Sequence, residues 1–217
     1  NWVLASASPE RFLECKHQRV ETRPIKGTRP RSGDPKTDKA LLEDLKTSQK
    51  DRAENVMIVD LLRNDLSRVC EDGSIKVSAL CELETFETVH HLVSIISGQL
   101  RNGMTTPDLL EACFPGGSIS GAPKIRAMEI IAELENNTRG PYTGALGYIG
   151  FDGAMDMNIL IRTAVIRDKK ITFQVGGGIV ADSQPEAEYL ETLDKAQGLI
   201  TAIGVEIKTR YVEKISS

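Results

Sequence analysis

The chain has 217 residues, 40% of them hydrophobic and 27% charged, enough to bury a substantial core as one large globular domain or part of one. A formal net charge of -4 and a pI near 5.5 leave no basic field for phosphate backbones, so no nucleic-acid partner is expected and an anionic ligand needs local cations. No apolar run approaches the roughly 18 residues of a membrane span, no signal-like segment opens the chain, and Cys15, Cys70, Cys81 and Cys113 lack C-x-x-C spacing. Reduced thiols, a cytoplasmic location and no membrane partner are the expectation.

The chain opens on Asn1 and enters at once on an apolar run from Trp2 to Ala7, which reads as a strand already in progress in a piece of a longer protein. Arg11 to Glu14 and Arg19 to Ile25 follow as a hairpin around Lys16-His17-Gln18. Gly27 to Pro35 carries two glycines, two prolines and two arginines, a composition that predicts a mobile loop and a candidate lid. Thr37 to Leu66 has helical spacing in two pieces with a break near Gln49. Asp72-Gly73 marks a turn, Ile75 to Ser78 and Cys81 to Gly98 read as strands, and Leu109 to Phe114 as a short helix. Gly121 to Glu135 reads as a helix with Pro123 in its first turn. Ala145 to Phe151 and Met157 to Arg167 are expected as long strands, with Asp168-Lys169-Lys170 turning into a return strand Ile171 to Val175. A Ser183/Glu186 capping box with Pro185 opens the last helix, which runs to about Ile203 before Gly204. Strands in hairpins with a few helices predict an α+β fold of antiparallel sheets.

Asp51 and Glu54 share one face of a predicted helix, and Glu188 and Glu191 share another. Two such faces offer the few hard oxygen ligands that Mg2+ takes alongside water and an anionic substrate; solvated helix faces meet the same spacing. Lys195 lies one turn after Glu191. Gly116 to Lys124 places a glycine-rich run at a helix start, where free N–H groups favour an anion. Ala122 and Pro123 stand where a P-loop needs lysine and serine or threonine, which disfavours a nucleoside triphosphate and favours a carboxylate. Gly176-Gly177-Gly178 offers close backbone approach or a plain turn. Arg162 interrupts an apolar strand and needs either solvent or an anion. Lys26, confined between Pro24-Ile25 and Gly27-Thr28, is a candidate nucleophile or a surface lysine. The adjacent His90 and His91 point to opposite faces of a strand.

Taken together, Ser8-Pro9-Glu10-Arg11-Phe12, Pro24-Ile25-Lys26-Gly27-Thr28, Asp60-Leu61-Leu62-Arg63-Asn64-Asp65-Leu66, His91-Leu92-Val93-Ser94, Ser120-Gly121-Ala122-Pro123-Lys124 and Glu188-Tyr189-Leu190-Glu191-Thr192 resemble the chorismate-utilising enzymes over nearly the whole chain. That family includes anthranilate, aminodeoxychorismate, isochorismate and salicylate synthases. The resemblance implies a chorismate-binding catalytic domain over residues 1–217, built on large antiparallel sheets packed orthogonally with flanking helices, with Mg2+ as cofactor. It implies Glu54 and Glu191 as metal ligands, with Asp51 and Glu188 in support. Tyr142 and Arg162 would hold the enolpyruvyl carboxylate, and Thr28, Ser118, Gly176, Gly177 and Lys195 would make other chorismate contacts. His91 would lie near the departing hydroxyl, and Glu10 would act as general acid or base. Lys26 resembles the aminodeoxychorismate-forming members, where it would attack chorismate covalently; anthranilate synthases typically carry alanine there. The resemblance further implies a glutamine amidotransferase subunit as ammonia source and a place in p-aminobenzoate and folate biosynthesis. Anthranilate synthesis, or chorismate binding without catalysis, are the alternatives.

Overall fold

The computed structural model describes residues 1–204. Contacts within the chain gather into two compact units, a larger one over Ser8–Leu160 and a smaller one made of Asn1–Ala7 with the chain from Ile161 onward. Both are built on antiparallel sheets with flanking helices, the α+β class expected.

The larger unit carries a seven-stranded sheet. Strands β2 (Arg11–Lys16) and β3 (Arg19–Thr22) form a hairpin. Its two turn residues, His17 and Gln18, take left-handed φ values of 50° and 65°, as the tightest hairpin turns require. β3 pairs with β6 (Val89–Gln99), which also pairs with β4 (Ile25–Pro30) and β5 (Lys76–Thr85). On the other side β2 pairs with β8 (Met155–Ile159), and β8 with β7 (Ala145–Ile149). β6 is the longest strand and is buried along most of its length, because helices cover one side of a strand already flanked by neighbours. Helix α1 (Pro35–Thr47) is capped by Asp34, whose carboxylate accepts the Thr37 N–H at 3.0 Å. Ser48 ends α1 and caps α2 (Gln49–Ser67) by accepting the Asp51 N–H at 3.3 Å, which explains the expected break near Gln49. α2 lays Ile58, Leu62 and Leu66 into a core with Leu13, Leu92 and Ile96. Helices α3 (Thr106–Cys113), α4 (Gly117–Ser120) and α5 (Lys124–Leu134) follow β6.

The smaller unit has a three-stranded sheet in the order β1 (Trp2–Ser6), β9 (Thr163–Arg167), β10 (Lys170–Phe173). Asp168 and Lys169, at φ 50° and 62°, make the β9–β10 turn where the sequence places it. Helix α6 (Pro185–Ile203) ends on Gly204 at φ 71°, the left-handed stop that glycine supplies.

Several boundaries differ from expectation. The supposed lid starts as strand, over Gly27 to Pro30: Gly27, at φ 87°, absorbs the register shift between Ile25 and Thr28, and Pro30 is tolerated because β4 lies at a sheet edge. Arg29 and Arg31 pin this segment through Asp44, Asp51 and Asp38. The β5–β6 turn falls at 86–88, where the Phe86 N–H reaches the Val89 carbonyl at 2.8 Å. The expected interruption before Cys81 is a bulge, with Cys81 at φ 53°. Met157 to Arg167 is two strands, since the chain leaves the seven-stranded sheet after Ile159 and joins the three-stranded one at Thr163, with Arg162 left-handed at φ 48° between them. Pro123 is the N-cap residue of α5 and lies outside the helix. No capping box opens α6: its N-cap is Gln184, and the Ser183 hydroxyl donates to Glu188 Oε1 at 2.5 Å while accepting the Val180 N–H at 3.1 Å.

Candidate active site

In the larger unit the predicted residues assemble around β4. Successive residues of this strand reach different elements. Lys26 donates from Nζ to the Ser118 carbonyl of α4 at 3.1 Å. Gly27 lies so close to α1 and α2 that a Cβ there would meet Leu45 Cδ1 of α1 at 2.8 Å and Asp51 Cβ of α2 at 2.9 Å, so only glycine permits this approach. Thr28 Oγ1 lies 2.9 Å from His91 Nδ1, its cross-strand neighbour on β6, which fixes the imidazole plane. His90 turns instead to Thr85 and to Asp38 at 3.2 Å, so the two histidines separate as their alternation requires. Asp38, bonded to Arg31 and to the Ser32 N–H, is held well below the usual carboxylate range.

Glu10 is buried, and its carbonyl accepts the Ile159 N–H at 3.0 Å. It lines a small pocket together with Phe12, Thr22, Leu62, Gly117 and Ser118. The glycine-rich run expected as an open anion cradle is instead a single helical turn, α4. Cβ atoms at Gly116 and Gly117 would strike Ile159 Cδ1 at 2.6 Å and Leu61 Cδ2 at 2.8 Å, so these glycines serve close packing. Asp51 accepts from Arg29 Nη2 at 3.2 Å, and Glu54 stands 3.9 Å from Lys50. Tyr142 has a different setting, in the turn after α5, with the Arg139 guanidinium 5.9 Å from its ring centroid.

In the smaller unit the predicted residues come together along α6. A Cβ built on Gly177 would lie 3.2 Å from Glu188 Oε2, 3.7 Å from Glu191 Oε1 and 3.8 Å from Lys195 Nζ. Lys195 pairs with Glu191 and donates to the Gly176 carbonyl at 3.2 Å. Glycine therefore leaves a hollow lined by two carboxylates and an ammonium. Arg162 immediately precedes β9 in a conformation that an L-residue rarely adopts, and its carbonyl accepts the Ala7 N–H at 3.1 Å.

No three His, Cys, Asp or Glu side chains lie close enough together to hold a metal ion among the described residues. The hollow beside Gly177 presents carboxylate oxygens only in small number. That donor set fits Mg2+, which is bound by one or two carboxylates and otherwise by water and substrate oxygens, and it does not fit a closed all-protein cage.

The profile of the chorismate binding enzyme family matches residues 1–201. The chain belongs to the chorismate binding enzymes. It is 54% identical over 198 residues to aminodeoxychorismate synthase component 1 of Escherichia coli, covering 91% of this chain and 44% of that protein. It is 52% identical over 202 residues to anthranilate synthase component 1 of Aquifex aeolicus, covering 93% of this chain and 41% of that protein. Among solved structures, anthranilate synthase component I from Streptococcus pneumoniae superposes with a TM-score of 0.82 at 42% identity, over 91% of this chain and 43% of that one. The chain thus spans less than half the length of the curated relatives it matches. Among the described residues, no helix is long and apolar enough to cross a membrane.

Residues that spacing did not single out also hold this region together. Arg29 Nε reaches Asp44 at 2.6 Å while its Nη2 holds Asp51, and so ties β4 to both α1 and α2. Asn55, fully buried on α2, donates to the Leu92 carbonyl at 3.2 Å and accepts from Ser94 at 2.5 Å, while Ser94 accepts the Cys81 N–H at 2.9 Å. The available signal was a polar residue on the apolar face of α2, for an unpartnered buried amide is costly.

Proposed function

We propose that this chain is the catalytic portion of an aminodeoxychorismate synthase component 1, which replaces the C4 hydroxyl of chorismate with an amino group. The observation that carries the reading is the placement of Lys26, whose Nζ is oriented by the Ser118 carbonyl on the same strand whose Thr28 holds His91.

The covalent route divides one hard substitution into two easier ones. Lys26 Nζ forms a bond to C2 of the ring as the double bonds shift and the C4 hydroxyl leaves. Glu10 or His91 supplies the proton with which that hydroxyl departs as water. Ammonia then bonds to C4, the double bonds shift back, and Lys26 leaves C2 with its electron pair as a free amine. Tyr142 and Arg162 are assigned to the enolpyruvyl carboxylate, and Thr28, Ser118, Gly176, Gly177 and Lys195 to other substrate contacts. From the family resemblance, Glu54 and Glu191, with Asp51 and Glu188 in support, are the proposed oxygen donors for the cofactor. When bound, Mg2+ supplies a Lewis acid for the ring carboxylate. A glutamine amidotransferase subunit is the proposed source of ammonia, and p-aminobenzoate and folate biosynthesis in the cytoplasm the setting.

The identity to an anthranilate synthase component 1 supports a second reading, in which the same site makes anthranilate. Incubation with chorismate, Mg2+ and an ammonium salt, followed by product identification, separates the two. Aminodeoxychorismate, lost in Lys26→Ala together with any Lys26 adduct seen by mass spectrometry, is the expected result. Anthranilate, or full turnover by Lys26→Ala, overturns the role given to Lys26, and unchanged chorismate leaves a binding chain.

A further inference from the structure

Two motifs that mark the family, Asp60 to Leu66 and Ser120 to Lys124, supply no residue to the chemistry above, yet they meet in one part-buried ion pair. Lys124 Nζ donates to Asp65 Oδ2 at 2.7 Å and to the Cys113 carbonyl at 2.9 Å. The Asp65 side chain is 5% exposed and that of Lys124 16%. Cys113 is the last residue of α3 and Lys124 the first of α5, so a single ammonium closes the intervening segment at its base. With two of its three donors committed and little surface open, Lys124 is poorly placed to take an external anion.

Within the closed segment the carbonyls have separate destinations. Gly116 O accepts from Ser120 Oγ at 2.8 Å, Gly117 O from the Gly121 N–H at 3.2 Å, and Ile119 O from Arg139 Nη1 at 3.2 Å. The Ser118 carbonyl accepts from Lys26 at 3.1 Å. Gly116 and Gly117 are pressed against Ile159 and Leu61, so the segment has little room to adjust once its base moves.

We propose that the Asp65–Lys124 pair is a clasp that positions the 114–123 segment, and through the Ser118 carbonyl orients the Lys26 amine. Asp65 and Lys124 are then positioning residues for the reaction, an inference that rests on the role proposed for Lys26. Removing either charge alone strands the other in the interior, so the informative variant is Asp65→Asn combined with Lys124→Met, which keeps volume and removes both charges. The expected result is a folded protein by thermal denaturation, with kcat for chorismate lowered about 100-fold, the scale of an ångström's misplacement of a reacting group, and KM changed less than about threefold. The labelling rate of Lys26 by an amine-reactive acylating reagent, followed against pH, is expected to change as well. That second reading needs no turnover, so it tests the clasp even if Lys26→Ala remains active and the functional reading falls. If the double variant does not fold, Asp65→Glu, which retains the charge but shifts it by one methylene, is expected to show the same two changes. A folded variant with unaltered kcat and Lys26 labelling overturns the proposal.

Discussion

The two groups of candidate residues are held in opposite ways. Along α6, Glu188, Glu191 and Lys195 follow one another at helical spacing, and the glycines they face lie only 11 to 19 residues earlier in the chain. Around β4, Lys26 reaches a partner 92 positions away and Thr28 one 63 positions away. The first arrangement is mostly a property of one helix. The second exists only because α4 and β6 are folded against the same strand. Local construction leaves the α6 group tolerant of changes elsewhere in the fold, whereas the β4 group is sensitive to anything that moves a neighbour of β4.

Gly27→Ala is the severest test of that contrast. It forces an L-residue to φ 87° and drives a Cβ to 2.8 Å from Leu45. Backbone strain and overpacking together are expected to cost about 3 kcal/mol, read from urea unfolding. Near-native stability would mean that β4 is not locked against α1 and α2. Ser94→Ala removes the partner shared by Asn55 and the Cys81 N–H. Two buried polar groups lose a bond, and about 2 kcal/mol of stability is expected to go with them. Ser183→Ala acts on the α6 group by releasing Glu188 Oε1. A loss of about 1 kcal/mol, with weaker Mg2+-dependent chorismate binding by calorimetry, is expected, while the Lys26 labelling rate stays at its wild-type value.

The smallest expected effect concerns pH. Burial pushes the Cys113 thiol up to about 12 and Cys70 up to about 11. Both stay protonated in the folded state where an unfolded cysteine ionises, near 8.5. Because the folded pKa is the higher one, the associated stability is complete below about 8.5 and is lost as pH rises from there toward the folded values. Iodoacetamide at pH 8 is therefore expected to leave both cysteines unmodified in the native protein and to alkylate them in urea. Rapid native alkylation would show that α3 and β6 do not seal them.

Hydrophobic alternation, helical spacing and glycine or proline punctuation settled most of the elements of this chain, because those signals are local. The α1–α2 break at Ser48, the β9–β10 turn and the Gly204 stop are all of this kind. The motifs likewise led to the family and to the residues named for the site. Composition misled at Gly27 to Pro30, where glycine, proline and arginine resemble a mobile loop; pairing with β6 and the aspartates of α1 and α2 make it a strand. Tertiary structure alone decided that Met157 to Arg167 breaks around Arg162, since one charged residue in an apolar strand reads as a contact to solvent or an anion as readily as the point where a chain changes sheets. It alone decided that Arg29 holds Asp51 and that Lys124 meets Asp65. Each of those bonds depends on which segments fold against one another, and a partner many residues away leaves no periodic trace in the sequence.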